Sequence, residues 1–296
     1  MEFFNKKLNA YKANLHTHST NSDGEFSPEK VIDLYANANY DVLAFSDHRK
    51  PNPVSTYDPM GMTLISGIEL HPAGPREINW HILGLGVPED FADCYPESGQ
   101  AAVDAIIRSG GIAFAAHPYW CGFTSAEVMS LQNLTGIEVY NTSCRYIGKE
   151  YNMTHWDEML DAGYRVSALA VDDVHHPCDL FRGFTMILAE NKSPEALLAA
   201  LKAGQFYSSQ GPVIERLSLE NGILSADFSP CVAVTGCMRR SRGLRVMVED
   251  QNGPGSGNQE LTHAEFDVSS LHDNYVRLQL RAADGKMAWS NPIFIN

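Results

Sequence analysis

The chain has 296 residues, of which 44% are hydrophobic and 20% charged, a composition typical of a globular protein. A formal net charge of −14 and the lack of a basic stripe argue against a protein that binds nucleic acid or an anionic membrane surface. The sequence has no apolar run of about 18 residues and no recognisable signal sequence, so we expect a cytoplasmic protein. Its cysteines lack a CxxC pair and are expected to be free thiols: Cys94, Cys121, Cys144, Cys178, Cys231 and Cys237.

Short apolar runs alternate with helical segments through the first two hundred residues. Helices are predicted at SPEKVIDLYANAN, ESGQAAVDAIIRSGG, SAEVMSLQNL, YNMTHWDEMLDAG and SPEALLAALKAG. Ser27 and Ser193 have the position of N-caps, each followed by the proline that favours the first helical residue. The continuous apolar strands between the helices predict a parallel sheet covered by helices, with enough units to close a barrel of roughly seven strands.

The pattern changes near Gly211 and Pro212. Short alternating strands with frequent turn signals follow, together with a predicted loop, QNGPGSGNQE, and no convincing helix. We therefore predict two domains, an α/β barrel over residues 1–211 and a small antiparallel β-sandwich over residues 212–296.

Histidines and carboxylates stand at or near the ends of the predicted strands. His16 and His18 in NLHTHS share one strand face, and AFSDH, ISGIEL, HILGLG, AAHP and DDVHH carry the others. Since C-terminal strand ends build the active site of a parallel α/β barrel, we expect these side chains to converge. A single histidine of this kind is more often a hydrogen-bonded core residue, but the joint pattern favours a metal site. Mixed histidine and carboxylate ligands suit Zn²⁺, Mn²⁺ or Fe, and the set exceeds what one ion can use.

In order and spacing, the segments LHTHST…DG, AFSDH, ISGIEL, HILGLG, AAHP, IEVYN and DDVHH resemble the PHP (polymerase and histidinol phosphatase) superfamily over about residues 13–211. The resemblance implies a distorted (β/α)7 TIM-like barrel with a trinuclear metal site. Carried over by position, the first metal would be held by His16, His18, Glu69 and Asp173, the second by Glu69, His81 and His117, and the third by Asp23, His48 and His175. Asp173 is preferred to Asp172 because Asp173-Val174-His175 matches the Asp-x-His pattern of the family. Asp172 is expected to support the ligands from behind or to cap the backbone.

The C-terminal segment AWSNPIFI, after a small β domain, resembles the CehA/McbA-type branch of these metallohydrolases. That branch contains an arylcarbamate or carboxylic ester hydrolase among members of unknown substrate. The shorter length of this second match leaves the substrate class open.

The resemblance implies a metal-dependent phosphoesterase that hydrolyses a small phosphorylated metabolite, a phosphomonoester or phosphodiester. The site is expected to hold two to three divalent ions (Zn, Mn or Fe). The expected nucleophile is a hydroxide that bridges two of them. Glu69, Asp173 and His175 are the predicted catalytic residues, and the proton donor is left open among His175, His176 and Asp172. The predicted substrate-binding residues are Arg145, Arg182, Asn141 and His176, with Arg49, His71 and Tyr140 as weaker candidates. A carboxylic or carbamate ester hydrolase with the same metal site and a non-catalytic PHP module remain open, as does the oligomeric state.

Overall fold

A computed structural model describes residues 1–4, 6–248, 260–272 and 274–295. Within these residues the α-helices are α1 Pro28–Asn37, α2 Gly99–Arg108, α3 Pro118–Cys121, α4 Ser125–Val128, α5 Met153–Asp161 and α6 Pro194–Lys202. The strands are β1 Glu2–Phe3, β2 Lys6–Lys7, β3 Asn9–Asn14, β4 Val42–Phe45, β5 Thr63–Leu70, β6 Ile82–Leu85, β7 Ile112–Ala115, β8 Gly136–Asn141, β9 Ser167–Val171, β10 Phe184–Ala189, β11 Phe206–Ser209, β12 Ile214–Glu220, β13 Ile223–Cys231, β14 Ala233–Met238, β15 Gly243–Met247, β16 Leu261–Asp267, β17 Asn274–Arg281, β18 Met287–Ser290 and β19 Ile293–Ile295. No helix of the described residues is both long enough and apolar enough to cross a membrane.

The helix starts follow the capping signals of the sequence. Ser27 and Ser193 cap α1 and α6, and each serine Oγ accepts a hydrogen bond of 3.3 Å from a backbone N–H three residues on. The segment SAEVMSLQNL is helical only over α4. Beyond Val128 the N–H groups of Ser130 and Leu131 bond three residues back, which tightens the chain into a turn and ends the α-helix.

One large sheet passes through most of the chain, with strand order β15-β14-β17-β18-β11-β10-β3-β4-β5-β6-β7-β8-β9 and β19 paired to β17. The pairs β3–β4, β4–β5, β7–β8 and β8–β9 are parallel, as predicted. Strands β6 and β10 differ from the prediction because each is antiparallel to both of its neighbours. The segment between β5 and β6 holds only a short 3₁₀ turn, and a parallel crossover needs a longer connection, usually with a helix.

The two ends of the run from β3 to β9 also meet. Thr17, after β3, and Val174, after β9, form an isolated parallel bridge. The His18 N–H donates to the Val174 carbonyl at 3.1 Å, and the Asp173 N–H donates to the His16 carbonyl at 3.0 Å. The segments that follow the first and last of these seven strands are therefore held side by side.

Both faces of this sheet are covered by apolar side chains. Val42 and Ala44 of β4 belong to one buried cluster, whereas Leu43 and Phe45 pack in another with residues of α1 such as Tyr35. Burial on both faces explains why the strand sequences are uninterrupted apolar runs. The structure is a mixed α/β fold with a large central sheet and few helices.

A second sheet, with order β16-β13-β12-β1-β2, covers the C-terminal end of the large sheet. Its residues Leu217 and Phe228 share an apolar core with Val234 and Leu278 of the large sheet. The large sheet is continuous across the predicted boundary at residues 211 and 212, because β11 pairs with β18. That boundary stays a prediction, and residues 251–259 of the predicted loop lie outside the described residues.

A buried ion pair joins the two parts of the chain. Arg277 of β17 is 1% exposed and donates from Nε and Nη2 to the two carboxylate oxygens of Asp157 in α5, both at 2.7 Å. The guanidinium carbon lies 4.9 Å from the centre of the Trp156 ring. This contact fixes α5 against the C-terminal strands by a bidentate, charge-assisted interaction.

Candidate metal centre

The nine predicted ligands come together at one end of the large sheet. His16 and His18 lie after β3, which ends at Asn14, although the sequence predicted them within the strand. Strand β6 is antiparallel, so its first residue lies at the edge where its neighbours end, and His81 directly before it joins the cluster. The others lie in or after their strands: His48 after β4, Glu69 in β5, His117 after β7, Asp173 and His175 after β9, and Asp23 in the loop after β3.

The first group consists of His16, His18, Glu69 and Asp173. The Nε2 atoms of His16 and His18 lie 3.1 Å apart. Asp173 Oδ1 is 3.2 Å from the first nitrogen and 3.0 Å from the second, and Glu69 Oε2 is 3.5 and 3.4 Å from them. Both carboxylate oxygens are buried and have no hydrogen-bond partner among the described residues. Buried oxygens without a donor, facing two imidazole nitrogens, fit a divalent cation.

Glu69 also connects this group to a second one. Its other oxygen, Oε1, lies 2.8 Å from His81 Nδ1 and 3.4 Å from His117 Nε2. Asp173 Oδ2 is 3.7 Å from the same His117 nitrogen. The two oxygens of the Glu69 carboxylate therefore face different histidines, as a bridging ligand requires.

The third group surrounds Asp23. Its Oδ2 lies 3.3 Å from His48 Nε2, and its Oδ1 lies 3.5 Å from His175 Nε2. His18 is the third histidine near this carboxylate, with Nδ1 3.9 Å from Asp23 Oδ1. The structure thus places all nine side chains in one cluster, and their binding of metal stays a prediction.

The backbone around the cluster is tightly built. Gly24 donates its N–H to the Ser19 carbonyl at 3.0 Å, and a Cβ at position 24 would lie 2.7 Å from the His18 carbonyl carbon and oxygen. Glycine is therefore required next to Asp23. His117 and Asp173 have φ values of 27° and 51°, in the left-handed region that few non-glycine residues adopt.

Sequence reasoning missed Glu138, which lies directly behind the cluster. It is fully buried, and its Oε1 is 2.6 Å from His16 Nδ1. Its Oε2 accepts from the His117 backbone N–H at 2.9 Å and from Asn141 Nδ2 at 2.8 Å. A carboxylate that binds the second nitrogen of a ligating histidine fixes the ring orientation. The available signal was a lone glutamate inside the apolar strand GIEVYN.

Asp47 was missed in the same way. It is buried, and its oxygens accept from the N–H and the hydroxyl of both Ser19 and Ser22. Asn52 Nδ2 donates to it as well, at 2.8 Å. Asp47 therefore fixes the loop that carries Asp23.

We expect Glu138→Gln to weaken metal binding by about 10- to 100-fold, the usual cost of losing a carboxylate behind a ligating histidine. The glutamine keeps the size of the side chain but removes the charge that orients His16. Competition with a chromophoric chelator would measure the affinity, and Glu158→Gln on the exposed face of α5 is the matched control. Equal affinities for Glu138→Gln and the parent protein would exclude this role.

The carboxylates of the cluster are held ionised. Burial alone would raise the pKa of Glu69, but His81 and His16 outweigh it and hold that pKa well below its usual range. Burial would also raise the pKa of Asp173, and His16 and His18 lower it in the same way. Two buried negative charges thus face the histidine nitrogens.

The surroundings shift the pKa values of His18, His48 and His81 in different directions. Burial lowers the pKa of His18 and of His81, each to about 4. Burial also disfavours charge on His48, but the nearby carboxylates of Asp23 and Glu69 outweigh it and raise its pKa to about 9. Without a metal, protons on histidines such as His48 partly neutralise the carboxylates.

Metal uptake at neutral pH is therefore expected to release protons. Since the pKa of His48 is raised to about 9, its ring is protonated below that pH and must lose a proton before an ion can take the nitrogen. The apparent affinity should rise with pH up to about 9, by roughly tenfold per pH unit for each proton displaced. Calorimetric titration in buffers of different ionisation enthalpy measures the proton count, and a binding enthalpy independent of the buffer would contradict the expectation.

The cluster forms one wall of a cavity of about 350 Å³. Beyond the predicted ligands, the lining residues are Trp120, Ser143, Cys144, Tyr146, Ile147 and His176. No arginine or lysine of the described residues lines this cavity. The negative charge of a bound anion would therefore have to be neutralised by the metal centre.

The predicted substrate-binding residues occupy different places. His176 lines the cavity, with Nδ1 2.8 Å from Glu25 Oε1. Asn141 lies beneath the cluster, where Nδ2 donates to Glu138 and, at 3.0 Å, to Asp173. Arg145 and Arg182 both donate to the Cys178 carbonyl, at 2.7 and 2.8 Å. The two guanidinium groups are thus engaged by backbone away from the lining, and their contact with substrate stays a prediction.

Asp172 lies outside the cluster. Its oxygens accept from the consecutive N–H groups of Phe181, Arg182 and Gly183 at 2.7, 2.9 and 2.8 Å, and from the Tyr35 hydroxyl at 2.7 Å. These contacts agree with the supporting role expected of it. All six cysteines are free.

No family model matches the sequence, and no curated protein matches it. Among solved structures, a two-domain protein from Bacteroides vulgatus that contains a predicted PHP-like metal-dependent phosphoesterase aligns with a TM-score of 0.57 and 16% identity, over 97% of this chain and 95% of that one. An amidohydrolase from Chromobacterium violaceum with bound sulfate aligns with a lower TM-score of 0.46 and 19% identity. That alignment covers 56% of this chain and 88% of the other. The lesion-specific endonuclease PfuEndoQ from Pyrococcus furiosus aligns with a TM-score of 0.49 and 15% identity, over 66% of this chain and 56% of that one.

The alignment to the Bacteroides vulgatus protein covers both parts of the chain. The protein therefore shares the fold of that protein. This confirms, at the level of the fold, the PHP resemblance of the sequence motifs.

Proposed function

We propose that this protein is a metal-dependent phosphoesterase that hydrolyses a small phosphorylated metabolite. The observation that carries the proposal is the buried cluster in which Glu69 Oε2 and Asp173 Oδ1 face imidazole nitrogens and accept no hydrogen bond from the part of the chain that the structure describes. Two or three divalent ions (Zn, Mn or Fe) held there would acidify water and polarise the phosphoryl oxygens. The likeness to a PHP-like fold supports the same assignment.

The side chains around the cluster have separable tasks in this proposal. Glu69 and Asp173 each present two oxygens to different histidines, so they would be the residues that hold neighbouring ions together. His175 has Nδ1 2.9 Å from the Asp173 carbonyl, which places the proton on Nδ1 and leaves Nε2 as the ligand atom. His176, half-exposed on the cavity wall, is the group placed to hold a proton for the leaving oxygen.

The apolar part of the cavity wall indicates the kind of group that the substrate carries beside its phosphate. Trp120, Tyr146 and Ile147 are 42%, 57% and 60% exposed, and all three line the cavity. Large apolar side chains left this accessible beside a polar cluster favour an apolar or aromatic group on the substrate. Together with a net charge of −14, this wall supports a small molecule with one phosphate rather than a nucleic acid.

We also propose the finer architecture and location. Residues 1–211, apart from β1 and β2 that pair into the second sheet, would form a distorted (β/α)7 barrel, which the strand run from β3 to β9 and the Thr17–Val174 bridge support. Residues 212–296 would form a β-sandwich, which the apolar core shared by two sheets supports. A cytoplasmic location fits six free cysteines.

Substrate profiling of metal-loaded protein tests the function. Purified protein would be stripped with a chelator, reloaded with Mn²⁺ or Zn²⁺, and assayed on an aryl phosphomonoester, an aryl phosphodiester, an aryl carboxylic ester, an aryl carbamate and single-stranded DNA. We expect turnover of an aryl phosphate that is lost in the stripped protein. Ester or carbamate turnover without phosphate turnover would establish the alternative hydrolase, and fewer than one bound ion per chain would establish a non-catalytic module.

A further inference from the structure

We propose that His71 is a metal ligand of this protein, in a site formed by His48, Glu69 and His71. The inference rests on the proposed metal-dependent function, and His71 is not one of the nine predicted ligands. It concerns which atoms bind the ion next to His48.

Three unpartnered atoms converge at this point. His71 Nε2 lies 3.2 Å from Glu69 Oε2, and His48 Nδ1 lies 2.8 Å from the same oxygen. All three atoms are buried, and none has a hydrogen-bond partner among the described residues. Two imidazole nitrogens and a carboxylate oxygen are ligand types suited to Zn²⁺, Mn²⁺ or Fe.

The surroundings hold the His71 ring in this orientation. Arg49 Nη2 donates to the His71 carbonyl at 3.0 Å, which fixes the backbone. The His71 ring stacks on His81 with centres 4.2 Å apart, and meets the His48 ring edge-on at 4.3 Å. The ring plane is therefore set by packing, and Nε2 is the atom that this packing directs at Glu69.

His48 has a suitable partner for this use of its ring. If Nδ1 binds the ion, Nε2 carries the proton and donates to Asp23 Oδ2, which lies 3.3 Å away. A carboxylate on the second nitrogen is the usual support of a ligating histidine. In this site Asp23 positions His48, whereas in the third group described above it would bind the ion itself.

A role in packing alone would need the ring of His71 but not its nitrogen. His71→Phe keeps an aromatic ring between His48 and His81 and removes the ligand atom. His71→Asn has an amide that reaches only the position of Nδ1, so it cannot replace Nε2. His263→Gln, at an exposed position in β16, is the control for loss of a histidine.

Metal titration tests the site without relying on activity. Stripped wild-type protein and the three variants would be titrated with Co²⁺, followed by visible absorption, with ions per chain measured by equilibrium dialysis and elemental analysis. We expect His71→Phe and His71→Asn to bind one of the ions at least about tenfold more weakly, with a changed Co²⁺ spectrum, and His263→Gln to match the wild type. Thermal unfolding of the stripped variants would show that they are folded.

The outcomes separate this inference from the proposed function. If either His71 variant binds Co²⁺ with wild-type affinity and spectrum, His71 is not a ligand, while phosphatase activity of the wild type would leave the proposed function standing. If the wild type binds no ion, the proposed function itself fails, and the inference fails with it.

Discussion

Glu69→Gln is expected to lower kcat/KM by about three orders of magnitude and to lower the number of tightly bound ions. Glu69 has one oxygen 2.8 Å from His81 Nδ1 and the other 2.8 Å from His48 Nδ1, so it contacts both sides of the cluster. Glutamine keeps the shape but removes the charge and turns one acceptor into a donor. A metal centre supplies several kcal/mol of transition-state stabilisation, and each 1.36 kcal/mol lost is about tenfold in rate.

Two measurements on the same samples check this expectation. Ions per chain would be counted by elemental analysis after gel filtration, and kcat/KM measured with the best aryl phosphate. Glu265→Gln is the matched control, because Glu265 lies on β16 with a side chain that is 60% exposed. Retained activity and full metal content in Glu69→Gln would show that the bridging assignment is wrong.

Asp157→Ala is expected to lower the free energy of unfolding by about 2–3 kcal/mol. The substitution leaves the guanidinium of Arg277 buried without its counter-ion, and removal of one partner of a buried pair usually costs about 3–5 kcal/mol. The effect is placed below that range because the Asp157 side chain is 40% exposed, and water screens the interaction. Urea unfolding followed by circular dichroism measures the change.

The control for this pair is Asp93→Ala. Asp93 and Arg108 form an ion pair at 3.7 Å with side chains 62% and 67% exposed, and such pairs contribute about 0–1 kcal/mol. Replacing both members of the buried pair, as Arg277→Met with Asp157→Ala, should restore much of the lost stability, because no buried charge is then unpaired. Equal stabilities of Asp157→Ala and the parent protein would show that Arg277 is solvated in another way.

The candidate ligands were predictable because their signal is local. His48, Glu69 and His117 each interrupt or end an apolar strand, and strand ends on one side of a sheet meet in space. His81 also lies in the cluster, but not for the expected reason: β6 is antiparallel, and its start lies at the shared edge. Apolar runs predict a buried strand but contain no information on its direction.

The features that were missed depend on contacts between distant segments. Glu138 becomes meaningful only when β8 brings it to His16, far away along the chain. Likewise, nothing near Arg145 or Arg182 in the sequence shows that both donate to the Cys178 carbonyl. An arginine near a motif therefore predicts a candidate, and only the fold shows whether its guanidinium is still available.

The parallel pairing of β1 with β12 has a consequence for how the protein is assembled. Residues 2 and 3 pair with residues 216 and 217, so a segment made early completes a sheet whose other strands are made much later. Pairing between segments so far apart in the chain slows folding, and until it forms, β12 has one edge without a partner. The C-terminal sheet should therefore be the late-folding part of the molecule and the one most exposed to aggregation during synthesis.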